Sequence, residues 1–154
     1  MKKLIYPLLL APLALFVSCD KDDFQPFDMT LTLTGVTQAN GTFYAVKGNN
    51  ITINSLTVSP LGDKNTTAAN VMFYIDNIPL FPNPLNGTDG LVFNTGMFQP
   101  GTYSINASGN LLQVDQSIQN FAAGYTLVIV NDQEDLPAGA PDAGTYSQTI
   151  TFTK

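Results

Sequence analysis

An all-β fold is predicted for most of this chain, and three observations predict it. Short apolar/polar alternations recur from residue 28 to the end, clusters of Gly, Asn, Asp and Pro separate them, and sustained helical periodicity is nearly absent. With 154 residues, 44% hydrophobic and only 12% charged, the chain can fill one packed domain and is too apolar for disorder. The expected domain, residues 28–154, is therefore a β-sandwich or barrel.

Each element has its own signal. Met29-Thr30-Leu31-Thr32-Leu33-Thr34 puts Met29, Leu31 and Leu33 on one face and threonines on the other, and Gly35 is expected to close that strand. Asn40-Gly41 is a hairpin turn leading into a second strand over residues 42–46. A third strand starts at Asn50. Its inward set changes phase from Ile51 and Ile53 to Leu56 and Val58, which predicts a β-bulge near Asn54-Ser55. After a polar loop over residues 62–69, Val71, Phe73 and Ile75 alternate with Met72 and Tyr74, so both faces are apolar, as in a central strand. Further strands are expected over 91–95, 101–107, 124–130 and 145–153. Residues 111–121 fit a helical face through Leu111, Val114, Ile118 and Phe121. Leu112 and Val114 alternate equally well with Gln113 and Asp115, and the β context favours a strand over 111–117.

The N-terminus reads as an export leader. Met1-Lys2-Lys3 is a basic start, residues 4–17 are apolar, and Ser18-Cys19 precedes the acidic stretch Asp20-Lys21-Asp22-Asp23. The apolar run is shorter than the roughly 20 residues that span a bilayer, and Pro7 and Pro12 interrupt it. The chain's single cysteine stands where that run ends. Phe16-Val17-Ser18-Cys19 resembles the lipobox of bacterial lipoproteins, in which a small residue precedes a cysteine that is diacylated and becomes the new N-terminus. Leu15 lies four places before the cysteine, whereas the commonest form has Leu three places before it. The bland alternative is an ordinary secretory leader with a lone cysteine beside it. The resemblance implies a leader over 1–18, a lipidated polar tether over 19–27, and membrane attachment through palmitate-type acyl chains on Cys19. Each buried methylene contributes about 0.8 kcal/mol, so two or three chains anchor a protein without a spanning helix. Lys21-Asp22-Asp23 resembles the short acidic signal that sends lipoproteins of the Bacteroidota to the outer face of the outer membrane; a solvated tether is the competing reading.

Composition excludes several function classes. The chain has no His, Arg or Trp, and Glu134 is its only glutamate. Imidazole catalysis, His or multi-Cys zinc sites, arginine clamps and internal disulfides are thereby removed. Without the two leader lysines, four lysines face twelve acids, a net charge of −8. No basic stripe exists for nucleic acid, and no electrostatic attraction to anionic lipid is expected. Asp132, Glu134, Asp135 and Asp142 share one loop, which lacks the spacing and Gly of an EF-hand and reads as a solvated connection. No metal, cofactor or catalytic residue is assigned. The sequons at Asn40, Asn50, Asn65, Asn86 and Asn106 read as turn-forming asparagines in a bacterial chain. The loop over 78–85, with three prolines, is too apolar for an ordinary exposed turn, and is expected to pack mainly against its own sandwich and seal it, with Phe81 the residue that would be left partly exposed if the loop instead serves a partner.

A second resemblance rests on three series. They are Val71-Met72-Phe73-Tyr74-Ile75-Asp76-Asn77-Ile78-Pro79-Leu80, Gln99-Pro100-Gly101-Thr102-Tyr103-Ser104-Ile105, and Ala122-Ala123-Gly124-Tyr125-Thr126-Leu127-Val128. Together they resemble the strand and turn motifs of immunoglobulin-like modules in bacterial envelope lipoproteins. Asn77 stands where those modules have Gly, and the Cys pair and Trp of antibody-type domains are absent. The resemblance implies an immunoglobulin-like antiparallel β-sandwich of about seven to nine strands. It specifies a fold and no activity. The expectation is a lipid-anchored outer-membrane protein, exposed at the cell surface, that binds a protein or glycan partner or acts as a structural spacer without catalysis. The alternative is a carbohydrate-binding module of a glycan-uptake system.

Overall fold

Strand β1, Phe27–Ala39, organises the computed structural model, which describes residues 26–61, 66–80, 90–113 and 118–153. Its alternation buries Phe27, Met29, Leu31 and Leu33 completely or nearly so, and each such side chain contributes about 1.5–3 kcal/mol. Gly35 does not end the strand. It takes a φ of +85°, the pairing with β9 shifts between Thr34 and Val36, and the chain continues to Ala39 with Val36 and Thr37 buried. A Cβ on Gly35 would lie 2.2 Å from the Asn50 carbonyl oxygen, so no other residue fits.

The remaining strands are β2 (Thr42–Val46), β3 (Asn50–Pro60), β4 (Thr66–Ile75), β5 (Ile78–Pro79), β6 (Leu91–Asn94), β7 (Gly101–Gln113), β8 (Ile118–Val130) and β9 (Gly144–Phe152). They form one curled, mixed sheet in the order β5-β4-β7-β8-β2-β1-β3-β6, with β9 on the other edge of β1. The all-β expectation holds. The purely antiparallel one does not, because β2 runs parallel to β8 from Phe43↔Leu127 to Val46↔Val130. After the Asn40-Gly41 turn, in which both residues have positive φ, β2 leaves β1 and lies along the last third of β8.

Two further boundaries differ from the sequence expectation for local reasons. Residues 66–69 belong to β4, not to a loop, and Asn70, at a φ of +53°, with Val71 forms an irregularity in the pairing with β7. Strand β7 runs through Ser108-Gly109-Asn110, because its long hairpin with β8 pairs every residue from Gly101↔Ile129 to Leu112↔Ile118. Leu111–Ser117 is thus not a separate strand; residues 114–117 lie outside the described residues. The two residues of the β4–β5 turn are Asp76 and Asn77, and Asp76 takes the left-handed conformation at a φ of +51°. The predicted bulge in β3 is present: Ser55 pairs with Thr32 and Ile53 with Leu33, leaving Asn54 between them.

Inward side chains of all the long strands meet in one core. Tyr125 of β8 is fully buried in it, and its hydroxyl donates to the Met29 carbonyl at 3.0 Å, tying β8 to β1 across the interior. Burial pushes the Tyr125 phenol well above its ordinary range. Tyr146, Ile150 and Phe152 of β9 close one margin, with Phe152 stacked on Phe27 at 4.6 Å between ring centres.

Candidate functional site

The outer face of β4, β7 and β8 carries a trough of about 390 Å³. Its position follows from register. Pro79, Tyr74, Asn106 and Gly124 form one row across β5, β4, β7 and β8; Met72, Ser108 and Ala122 form the next. Tyr74 is half-buried and supplies the tall wall, whereas the exposed positions on β8, Ala122 and Gly124, have little or no side chain. A strand surface that alternates a ring with a methyl or a hydrogen atom is necessarily hollow at the small positions.

The turn after β4 shapes one end of the trough. Asp76 docks on β7: its N–H donates to the Ser104 carbonyl, and its Oδ1 accepts the Ser104 N–H, both at 2.8 Å. Asn106 Nδ2 donates to the Asp76 carbonyl at 3.0 Å, and Ser104 Oγ donates to Asn106 Oδ1 at 2.7 Å. These bonds hold Asn106 beside Gly124, where a Cβ would come within 3.1 Å of both Asn106 Oδ1 and Ser104 Oγ. Asp76 keeps its second carboxylate oxygen. Tyr74, Asn77 and Ser108 make no side-chain hydrogen bond to any described residue. Asp76 is the only charged residue lining the trough among the described residues.

The outer face of β9, β1 and β3 is different in kind. Thr30, Thr32 and Thr34 pair with Thr149, Ser147 and Thr145 through hydroxyl–hydroxyl bonds of 2.7–2.8 Å, and Thr151 donates to Asp28. Those hydroxyls largely satisfy one another. Residues 131–135 are exposed, with a short 3₁₀ turn over Gln133–Asp135, and no group of three carboxylates converges among the described residues.

Cys19, Phe81 and all of the expected tether over 19–27 except its last two residues lie outside the described residues; the last of these, Phe27, is a buried residue of β1. Sequence reasoning found Tyr74, Asp76, Asn77 and Gly124 as fold motifs and missed them as a site. The available signal was Gly124 within a strand, since an interior strand glycine marks a close approach or a vacancy. Comparison of the chain with models of protein families, with characterised proteins and with solved structures finds no match.

Proposed function

We propose that this chain is a lipid-anchored protein of the outer membrane, exposed at the cell surface, whose immunoglobulin-like β-sandwich binds a partner without catalysis. The observation that carries the proposal is the position of Cys19, the single cysteine, between the apolar run and the acidic tether. The strand order supports the immunoglobulin-like reading. The series β1-β3-β6 and β4-β7-β8 corresponds to the A-B-E and C-F-G orders of that fold, in the right chain sequence, with β2, β5 and β9 as additions. The trough favours binding over a pure spacer role, because a spacer has no use for a preorganised hollow on one face. Its mixed lining, an aromatic ring and small side chains beside a few polar groups, also favours the second reading, a carbohydrate-binding module in glycan uptake.

Metabolic labelling with a palmitate analogue tests the anchor. Wild type is expected to incorporate label and Cys19→Ala to lose it; equal labelling contradicts the proposal. Proteinase K added to intact cells is expected to degrade the protein. Protection until the outer membrane is broken places the domain on the periplasmic side instead.

A further inference from the structure

The trough's lining selects among ligand chemistries. Among the described residues its only charged lining group is Asp76, and the chain carries twelve acids against six lysines, so an anionic ligand meets repulsion with no compensating cation among those lining residues. A purely apolar ligand fits no better, since Asp76, Asn77, Asn106 and Ser108 would lose water without gaining partners.

A sugar matches the remaining features. One face of a pyranose ring is a patch of C–H groups, and it stacks on an aromatic ring; here the half-buried Tyr74 supplies that ring, with Pro79 directly opposite it on β5. The rim of a sugar is a series of hydroxyls, each both donor and acceptor. Asp76 offers a carboxylate oxygen that only accepts, Asn77 an amide that does both, and Ser108 a hydroxyl. Binding to these groups costs little ordering for Asp76 and Asn106, because both are already fixed to β7 and to each other at 2.8–3.0 Å. The floor at Ala122 and Gly124 lets a flat ring approach the backbone. The volume, about 390 Å³, is at the lower end of the range for small-molecule sites.

Resting on the reading of this domain as a binding module, we infer that the β4-β7-β8 trough binds a neutral saccharide, stacked on Tyr74 and hydrogen-bonded by Asp76, Asn77 and Ser108. Asn106 is a positioning residue that holds the Asp76 turn.

The test uses the protein as extracted from host membranes into detergent micelles, and isothermal titration with five probes. These are gluco-, galacto- and manno-configured neutral tetrasaccharides, a tetragalacturonate and tetralysine. At least one neutral probe is expected to bind. Tyr74→Ala is expected to weaken it about tenfold, and Tyr74→Phe to keep most of the affinity. Ala122→Leu, at an exposed position, fills the trough without touching the core and is expected to abolish binding; Thr57→Leu on the other outer face changes nothing. Melting curves confirm that each variant is folded. Binding by none of the neutral probes, binding by tetragalacturonate or tetralysine alone, or binding that survives Ala122→Leu overturns the assignment. Its failure is separable from that of the anchor. A chain that labels with palmitate and binds no sugar loses only the trough, and one that binds sugar without lipid loses only the anchor.

Discussion

Replacing Tyr125 with Phe removes one oxygen from the centre of the core and leaves the ring, so nearly the whole effect comes from the hydrogen bond to the Met29 carbonyl. A neutral buried hydrogen bond contributes about 1 kcal/mol net, and the loss reaches about 1–3 kcal/mol where the abandoned carbonyl finds no other partner. For a domain of this size each kcal/mol moves the midpoint by about 3–5 °C, so Tm is expected to fall by about 3–15 °C. In urea the midpoint should fall while m stays constant, since the surface exposed on unfolding is unchanged. Alkaline pH adds a second, independent readout. The folded state holds the Tyr125 proton well above the ordinary tyrosine range, whereas the unfolded chain releases it near pH 10. Above that pH the unfolded state binds fewer protons, so wild type loses stability by up to about 1.4 kcal/mol per pH unit until the folded phenol also ionises. Tyr125→Phe lacks this contribution, so its deficit should shrink above pH 10. An unchanged Tm, or stability profiles that stay parallel above pH 10, would refute this account of how β8 is tied to β1.

Two further substitutions probe the backbone and the margin of the core. Gly35→Ala meets both a φ of +85° and the Asn50 carbonyl at 2.2 Å, and should cost more than about 2 kcal/mol; Gly41→Ala, at a φ of +73° with open space around it, should cost about 1 kcal/mol. Urea denaturation of the two variants checks the order, and equal losses contradict the role given to Gly35. Gln148 on β9 holds its Oε1 buried with no hydrogen-bond partner among the described residues, so Gln148→Leu should raise stability by about 1 kcal/mol. A lower melting temperature for that variant means the amide has a partner in solution.

The strands were legible where one face is buried, because alternation of period two survives in the residue order. Met29, Leu31 and Leu33, and likewise Phe73 and Ile75, are fully buried as their spacing requires. The phase change in β3 also announced its bulge at Asn54. Boundaries failed where pairing overrode composition. Gly35 reads as a stop, yet in β1 it is the point where the strand passes from β9 and β3 to β2. Ser108-Gly109-Asn110 reads as a turn, yet a continuous ladder to Asn120, Phe121 and Ala122 carries it through β7. The parallel contact of β2 with β8 links residues more than eighty positions apart, and no local pattern encodes such a pairing. The trough was hidden for the same reason. Met72 and Tyr74 read as the second apolar face of a central strand, whereas β4 has only the two residues of β5 on its far side among the described strands. Only the register that sets Tyr74 beside Asn106 and Gly124 turns that face into a hollow.

The central claim, a lipid-anchored envelope protein, is tested most directly by the mass of the mature chain. Protein extracted from membranes of the native host and measured intact should lack residues 1–18, begin at Cys19, and carry the added mass of a diacylglyceryl group with or without an N-linked acyl chain. Thioether-linked lipid on an N-terminal peptide that starts at Cys19 is the expected result. A chain that begins at another residue, or that begins at Cys19 with an unmodified thiol, contradicts it.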